Sequence, residues 1–459
     1  MLIARLLTPT EIGVFSVTMV LLMFVSTVRD MGAGQYLIQE KNLTTERIRA
    51  VWTVQLGLGF ALAIIVLLAS HPVAVFYREP RMRDIMLVVA LNYAVNPFGS
   101  LTYAWLMREM RFESIALMRF SSTVGGALVS AWLAWKGLGP ISLAIGSLTS
   151  TVVNALLAIY FRPKAFPWLP GVSEIKRVLT FGSQLTASSI VAVMSGSAPE
   201  LLLGKLQDLA SVGLFSRANG LVQMFHRLFV DAVGAVCLPW FAKQSREHGG
   251  FAGPFLKATA YVTVFGWSFC LAIICLAQPV IRTLYGYQWD HSVDLARLLA
   301  VAMVTAVPAA LCPFALLSVG AVSTITRATV MSALVSIVLV AIGASQGLLT
   351  LGAFMIVSAS VSSAIWLRAA SRNIGFSFKS LFKAVWKSMA VACFAGLGPL
   401  IALVAYGAYP EDRAAPLALG FVGGLSGFLL GVWAFQHPFQ EELITIWAKV
   451  SGGWAQRNR

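Results

Sequence analysis

The sequence has 459 residues, of which 58% are hydrophobic and only 12% are charged, and its formal net charge at pH 7 is +15. A soluble protein of this size carries about twice that share of charged residues, so the composition excludes a water-soluble fold and indicates a polytopic membrane protein. Because most positive charges lie in short connections between apolar runs, we interpret them as membrane topology and contacts with anionic lipids, not as nucleic-acid binding.

Thirteen apolar segments follow one another along the chain, each near the roughly 20 residues that a helix needs to cross a bilayer. Regular two-residue alternation is absent, which argues against a barrel. We therefore predict an all-α protein with about thirteen full transmembrane helices. The segments lie at 12–30, 50–70, 85–105, 114–135, 139–161, 178–203, 211–239, 255–281, 293–319, 325–345, 347–367, 384–406 and 414–434.

The start of the chain recurs about 200 residues later. ARLLTPTEIGVFS at 4–16 aligns with GKLQDLASVGLFS at 204–216, so that Gly13 meets Gly213. Weaker matches continue downstream. Pro72, which precedes Tyr77, resembles Pro279, which precedes Tyr285, and the offset has drifted to 207 at these prolines. Internal repetition in a hydrophobic chain is typical of transporters built from two related lobes.

The repeat predicts four parts of the chain. They are an N-terminal lobe at 1–177, a C-terminal lobe at 178–370, an extra helix pair at 371–434 and a cytoplasmic tail at 435–459 that is either an interfacial helix or a frayed end. An apolar segment precedes the second copy, whereas only three residues precede the first. We therefore expect a remnant, at 1–7, of a first helix that the N-terminal lobe lacks.

Lys and Arg residues are distributed unevenly between the two sets of alternate connections. One set carries 22 of the 34 and the other carries 8. The positive-inside rule then places the first set, and with it the C-terminus, in the cytoplasm. The even number of helices per lobe predicts that both copies have the same membrane orientation.

Charged residues inside predicted spans are expensive, and each is a functional hypothesis by default. The cations Arg29, Arg217 and Arg227 are candidates for holding an anionic headgroup, because guanidinium groups offer forked donors to phosphate. The alternative is interhelical ion pairing, or extension of Arg29 and Arg227 to the membrane surface. Their candidate partners for charge balance or cation coupling are Asp30, Glu200 and Asp231.

Two local patterns refine this hypothesis. Arg227 and Asp231 are four residues apart and are expected to touch on one helix face. With one residue of slippage, Asp30 is the repeat counterpart of Asp231. The span 178–203 is unusually polar, and Ser183 and Gln184 are candidates for lining a hydrated path for sugar hydroxyls. Close helix packing through small residues explains the same composition equally well.

Catalytic and metal-binding patterns are absent from the sequence. The five histidines are scattered without metal-ligand spacing, and no Gly-Lys-Ser/Thr phosphate loop is present. We therefore predict a transporter without enzymatic activity, cofactor or metal.

The stretches ARLLTPTEIGVFS, RDMGAGQYLIQEKNLT at 29–44 and GKLQDLASVGLFSRANGL at 204–221 resemble the polysaccharide transporter family of Wzx-like oligosaccharide flippases. That family belongs to the multidrug/oligosaccharidyl-lipid/polysaccharide (MOP) exporter superfamily. Asp30-Met31-Gly32 fits its acidic-x-Gly element, and 213–217 fits its Gly-Leu-aromatic-x-Arg element. An acidic residue of the family pattern falls near Glu200. The resemblance implies a full first helix, of which we expect only the remnant at 1–7 in this sequence.

The resemblance implies a MATE-like fold of two six-helix lobes and the translocation of undecaprenyl-pyrophosphate-linked oligosaccharides across the bacterial inner membrane. These units feed O-antigen, capsule or exopolysaccharide assembly, so a polymerase and co-polymerase are implied partners beside the lipid-linked oligosaccharide and membrane lipids. Alternating access and H⁺ or Na⁺ coupling are implied as well. The alternatives are a cation-coupled drug antiporter of the same superfamily, a membrane polymerase or ligase acting on the same lipid, and a truncated nonfunctional paralogue.

Overall fold

The computed structural model describes residues 5–30, 36–37, 44–163, 166–248, 251–408, 410 and 414–445. Within these, the side chains at 28–30, 177, 180–189, 192, 242 and 246–248 lie outside the description. The chain divides into two compact units, Met1–Leu214 and Phe215–Arg459.

Most of the described residues are helical, and no strand occurs among them. The helices are α1 Pro9–Asp30, α2 Thr45–Tyr77, α3 Arg81–Val95, α4 Pro97–Arg108, α5 Phe112–Trp135, α6 Ile141–Tyr160, α7 Ile175–Leu206, α8 Leu209–Phe225, α9 Asp231–His248, α10 Ala252–Leu284, α11 Val293–Ala306, α12 Cys312–Ser318, α13 Val322–Gln346, α14 Leu348–Ile374, α15 Phe378–Tyr406 and α16 Ala414–Ala434. A π-helical turn at His226–Val230 joins α8 to α9, and 3₁₀ turns at Tyr287–Ser292 and Val307–Ala309 flank α11.

Every predicted apolar segment coincides with a helix or with a broken helical stretch. Among the described residues, ten helices are long and apolar enough to cross a membrane, or eleven if α3 and α4, bent by 50° at Pro97, form one span. The protein is therefore an all-α, multi-pass membrane protein. The number of thirteen full membrane-spanning helices stays a prediction.

The two copies of the repeat begin their helices in the same way. In the first, the Thr8 hydroxyl accepts from the backbone N–H of Glu11, whose carboxylate accepts from the Thr8 N–H at 2.8 Å. In the second, Asp208 accepts from the N–H of Ser211 at 2.6 Å. Such side-chain caps satisfy the free N–H groups of a first helical turn. The offset of 200 therefore relates two helix starts.

The repeated glycines are the point at which the two helix starts cross within the first unit. A Cβ atom on Gly13 would lie 1.6 Å from the carbonyl oxygen of Leu209, and a Cβ on Gly213 would lie 1.9 Å from that of Pro9. Backbones that approach this closely tolerate no side chain at either position. The internal similarity thus includes the residues through which the two copies contact each other.

The next pair of long helices repeats as closely. α2 and α10 both have 33 residues and are related by the offset of 207 at each end. Pro72 and Pro279 occupy the same place, five residues before the last helical residue. The repeat predicted from scattered sequence matches is therefore present in the helix bounds.

The extra helix pair of the second unit packs backbone against backbone. A Cβ on Gly398 of α15 would lie 2.2 Å from the Gly423 carbonyl carbon of α16, and one on Gly427 would lie 2.2 Å from the Phe394 oxygen. The glycines spaced by four in α16 form the close-packing ridge that this spacing indicates in membrane helices.

Connections that the charge pattern assigns to the same side lie together in each unit. Lys205 donates to the carbonyl of Phe76 at 3.0 Å in the first unit, and Arg297 donates to that of Ala408 at 3.2 Å in the second. These pairs belong to the set poor in Lys and Arg. The contacts agree with the prediction that successive connections alternate between the two sides of the membrane. The assignment of the basic connections to the cytoplasm stays a prediction.

The start of the C-terminal tail docks onto the second unit through His437, whose side chain is 1% exposed. The Nδ1 atom accepts from the N–H of Phe439 at 3.1 Å. Ser388 donates to the Ala260 carbonyl at 2.9 Å and therefore accepts from Nε2–H at 3.0 Å. Both ring nitrogens are thus committed to the neutral imidazole, and burial lowers the pKa of His437 to about 4.

We expect the tail contact to weaken in acid. Because the folded-state pKa lies below the ordinary value of 6.5, the contribution of His437 to stability is fully present above about pH 6.5 and is lost as the pH falls through about 4. This gap corresponds to at most about 3 kcal/mol. The difference in Tm between the wild type and His437→Leu should therefore shrink from pH 7 to pH 4. A constant difference would contradict the assignment.

Candidate functional site

Arg217, in the third turn of α8, is a cation of the second unit that has no anionic partner among the described residues. It lies half-buried on α8, and its Nε atom is buried with no hydrogen-bond acceptor. Among the described residues, no carboxylate lies within ion-pair distance of it. A desolvated guanidinium with an unsatisfied donor is costly unless an anion completes it.

Two aromatic rings face this guanidinium. Its Cζ atom lies 5.8 Å from the ring centroid of Tyr285 and 5.6 Å from that of Trp289. The two rings meet edge-on, with centroids 6.4 Å apart. Ring faces stabilise a cation without neutralising it, so Arg217 remains available to an anion.

The rings come from the turn between α10 and α11, which is held by an ion pair. Arg282 donates to both carboxylate oxygens of Asp290, at 2.8 and 2.6 Å. Gly286 enters the turn with φ of 106° and ψ of 176°, a backbone conformation that favours glycine. Trp289 is fully buried. The frame around Arg217 is therefore fixed by contacts that leave Arg217 itself unpaired.

The Tyr285 hydroxyl supplies a neutral donor beside the cation. Burial raises the pKa of Tyr285, and the positive charge of Arg217 opposes that rise only in part. The phenol therefore keeps its proton at neutral pH. A guanidinium and a phenol side by side match the oxygens of a phosphate or carboxylate.

Further along the same helix, the second unit contains a cleft of about 390 Å³. Its polar lining consists of neutral amides, an imidazole and hydroxyls, and the rest is apolar. The polar residues are Asn219, Gln223, His226, Ser336, Ser358 and Ser362. A concave, largely apolar site with a few convergent neutral polar groups is typical of ligand pockets, and amides and hydroxyls are the partners that sugar hydroxyls require.

The π-turn at His226–Val230 changes which side chains meet at the mouth of this cleft. A π-helix pairs residues five apart, not four. Accordingly, the Asp231 carboxylate lies 3.7 Å from Nε2 of His226. Arg227 is exposed and makes no ion pair with Asp231 in the described part of the chain. A four-residue spacing allows Arg227 and Asp231 to touch on a regular helix, whereas the π-turn brings Asp231 to His226.

The remaining predicted site residues are placed unevenly. Glu200 is half-buried in α7 and already interacts with another group. The side chains of Arg29, Asp30, Ser183 and Gln184 lie outside the described residues. The roles of all five residues therefore stay predictions.

Sequence reasoning missed the two rings and the cleft. Tyr285 was noted only as a repeat counterpart of Tyr77, and Trp289 was not singled out. The repeat did contain a signal. At the offset of 200, Arg217 corresponds to Val17, which lies with Tyr77 against Gly204 in the first unit. A valine–tyrosine pair in one copy and an arginine–tyrosine pair in the other mark the position where the copies diverge chemically.

Comparison with known families gives a consistent result. The model of a family described as "Polysaccharide biosynthesis protein" matches residues 2–294. The chain is 23% identical over 303 residues to the succinoglycan biosynthesis transport protein ExoT of Rhizobium meliloti and 22% identical over 303 residues to the lipopolysaccharide biosynthesis protein WzxC of Escherichia coli. It is 20% identical over 310 residues to the teichuronic acid biosynthesis protein TuaB of Bacillus subtilis.

Each of these matches covers 65% of this chain and 61%, 61% and 62% of the respective relative. The chain thus spans about three-fifths of the length of the curated relatives it matches. All three relatives are named for the biosynthesis of a polysaccharide or lipopolysaccharide, and ExoT is named as a transport protein.

Two solved structures share the fold. The lipid II flippase MurJ in an inward closed conformation aligns with a TM-score of 0.78 at 14% identity, over 96% of this chain and 95% of that one. An inward-facing multidrug resistance MATE family transporter of the MOP superfamily aligns with a TM-score of 0.66 at 14% identity, over 83% and 93%. The predicted MATE-like, two-lobe fold class is therefore confirmed.

Proposed function

The chain belongs to the family of polysaccharide biosynthesis proteins, and from this premise we propose that it is a flippase for undecaprenyl-pyrophosphate-linked oligosaccharide units. It moves them across the bacterial inner membrane by alternating access, for O-antigen, capsule or exopolysaccharide assembly. Its C-terminus lies in the cytoplasm, and it acts beside a polymerase and co-polymerase.

The observation that carries this proposal is the half-buried Arg217 between Tyr285 and Trp289, with no carboxylate partner among the described residues. An exporter of cationic drugs needs acidic groups at such a place, and a guanidinium repels its substrate. A pyrophosphate or an acidic sugar supplies the missing charge. The cleft further along α8, lined by amides and hydroxyls, provides groups for the sugar hydroxyls.

The carboxylates have a separate role in the proposal. Asp231 takes up a coupling proton or sodium ion, and its position 3.7 Å from Nε2 of His226 supports this role. Glu200 and Asp30 are further candidates on α7 and α1. Arg29 and Arg227 are weaker candidates for the headgroup. Ser183 and Gln184 contribute hydroxyl and amide groups to the sugar path.

Deletion of the gene in its host tests the proposal. Surface polysaccharide should disappear while its lipid-linked repeat unit accumulates inside the cell, and expression of the wild-type chain should reverse both effects. The same strains should show unchanged resistance to cationic dyes. Intact surface polysaccharide together with lost dye resistance would contradict a flippase and indicate the drug antiporter.

Substitution of Tyr285 separates the ring from the hydroxyl. Tyr285→Leu removes the cation–π contact, which is worth about 1–2 kcal/mol at a desolvated site, and we expect roughly tenfold weaker substrate binding. Tyr285→Phe keeps the ring and should lose less substrate affinity than Tyr285→Leu. Binding of the lipid-linked substrate to the purified protein measures both. Equal affinity for the Leu variant and the wild type would remove Tyr285 from the site.

A further inference from the structure

A second group of arginines and aromatic rings lies in the first unit. The charge pattern predicts that it lies on the opposite side of the membrane from the connection that contains Lys205. It consists of Arg49 and Trp52 at the start of α2, and Arg162 and Trp168 in the connection between α6 and α7. We call it the tryptophan–arginine cluster. None of its members belongs to the site around Arg217.

Arg162 lies between the two tryptophans. Its Cζ atom is 3.9 Å from the ring centroid of Trp168 and 5.0 Å from that of Trp52. The indole N–H of Trp52 donates to the Trp168 carbonyl at 3.0 Å, and Arg162 Nη2 donates to the Pro167 carbonyl at 2.8 Å. Pro167 and Trp168 are therefore held against the guanidinium.

This arrangement leaves Arg162 short of acceptors. Its Nε and Nη1 atoms are both buried without a hydrogen-bond partner, and burial lowers the pKa of the Arg162 guanidinium. Only Nη2 is satisfied. The cost of an unsatisfied buried donor is larger for a charged group than for a neutral one. The N–H groups on these two atoms therefore favour the binding of an anion.

Arg49 adds a second cation with the same deficit. Its Nε atom is buried without an acceptor, and no ring is stacked on it among the described residues. The backbone at Gly171 lies directly against the Arg49 side chain, since a Cβ on Gly171 would be 2.9 Å from Arg49 Cβ. Thr53, on the next turn, accepts from the Gly171 N–H at 2.8 Å. The same connection thus touches both arginines.

Nothing within the described protein neutralises this cluster. No described carboxylate lies within ion-pair distance of Arg49 or Arg162. Trp52 is 2% exposed and Trp168 is 54% exposed, so the cluster extends from the core of the first unit to its surface. Tryptophan and arginine at the end of membrane helices are typical of the headgroup level of a bilayer.

We propose that the tryptophan–arginine cluster is an anion site for a phosphate or pyrophosphate headgroup of a lipid, separate from Arg217. The forked donors of two guanidiniums suit phosphoryl oxygens, and the half-exposed Trp168 provides an apolar wall for the attached chain. The headgroup belongs either to a membrane phospholipid or to a polyprenyl pyrophosphate. The site follows from the contacts of the first unit and does not depend on the flippase proposal.

Binding to the delipidated full-length chain in detergent tests the site directly, by native mass spectrometry. The measurements use the Arg217→Ala background, so that the other candidate site does not contribute. The probes are farnesyl pyrophosphate, dioctanoyl phosphatidylglycerol, inorganic pyrophosphate and, as a headgroup without phosphate, dioctanoylglycerol. Tighter binding of farnesyl pyrophosphate identifies a polyprenyl pyrophosphate, and tighter binding of phosphatidylglycerol identifies a membrane phospholipid.

The variants Arg49→Gln and Arg162→Gln should each weaken binding of the phosphorylated probes about tenfold, as expected for the loss of a charge-assisted hydrogen bond. Arg111 is an exposed arginine that the charge pattern assigns to the same side of the membrane. Arg111→Gln is therefore the matched control and should bind every probe as the Arg217→Ala protein does. Dioctanoylglycerol should bind all variants equally.

A purely structural role for the cluster gives a different result. Arg162→Gln would then lower the melting temperature of the ligand-free protein, while Arg49→Gln would bind every probe with parental affinity. That outcome, or equal loss in the Arg111→Gln control, would overturn the proposal. If Arg162→Gln fails to fold, Arg49→Gln carries the test, because Arg49 contributes no ring contact to the connection.

Discussion

Replacing Arg217 by alanine should reduce transport of a lipid-linked oligosaccharide by about 10- to 100-fold, the effect of removing hydrogen bonds to a charged group. The protein should still reach the membrane, since Arg217 has no ion pair whose loss would leave a buried carboxylate. Its Nε lacks a partner, and its rings are held by Arg282 and Asp290. Removal therefore relieves an unsatisfied charge in the empty protein.

Two further variants give the loss its meaning. Arg217→Lys keeps the charge but not the planar fork, and should retain part of the activity. Arg327→Ala removes an exposed arginine at the start of α13 and should transport like the wild type. Surface polysaccharide, normalised to the amount of membrane-inserted protein, measures all three. Wild-type export by Arg217→Ala at equal protein level would remove Arg217 from the mechanism.

Replacing Gly13 by alanine should have the largest effect on stability. The added Cβ would lie 1.6 Å from the Leu209 carbonyl oxygen, so α1 and the start of α8 would have to separate at their crossing. Overpacking against backbone that cannot rotate away costs about 3 kcal/mol or more. In Gly213→Ala the added Cβ would lie 1.9 Å from the Pro9 carbonyl oxygen, so this variant should lose a similar amount of stability. Melting temperature in detergent and the amount of folded protein in membranes measure the effect.

Gly220, on the same α8 helix, is the matched control. A Cβ there meets nothing within 4 Å, and an alanine in a helix interior is favoured over glycine by about 0.5–1 kcal/mol. Gly220→Ala should therefore melt at or above the wild-type temperature. Wild-type melting of Gly13→Ala would mean that the two repeat copies do not cross at their glycines.

The repeat and the helix bounds were predictable because both depend on local composition. The capping pair Thr8–Glu11, the apolar runs and the prolines of α2 and α10 lie in the sequence at recognisable spacings. The crossing of Gly13 with Gly213 was not predictable from the sequence. Similarity at an offset shows that two segments are alike, but it does not show that they are in contact.

The π-turn shows how a local irregularity changes a site. The counterparts Gly13 and Gly213 are 200 residues apart, whereas Asp30 and Asp231 are 201 apart. This alignment implies one extra residue between Gly213 and Asp231, and the π-turn at His226–Val230 lies in that interval. The one-residue slippage was visible in the sequence, but its consequence, the pairing of Asp231 with His226, follows only from the helix geometry.

The rings around Arg217 could not be predicted for a different reason. Tyr285 and Trp289 lie about 70 positions later in the chain, and only packing of the α10–α11 turn against α8 brings them to the guanidinium. A sequence indicates that an intramembrane arginine needs a partner. It does not indicate that aromatic rings, and not a carboxylate, surround it.

Transport by the purified chain in proteoliposomes tests the central claim most directly. Fluorescent undecaprenyl-pyrophosphate-linked oligosaccharide is placed in both leaflets, and its accessibility to an external membrane-impermeant enzyme is followed over time. The wild-type chain should move the lipid between leaflets and expose the inner pool, whereas Arg217→Ala should leave that pool protected at equal reconstitution. Protection of the inner pool by both proteins, or exposure by both at the same rate, would contradict a flippase that holds its anionic substrate at Arg217.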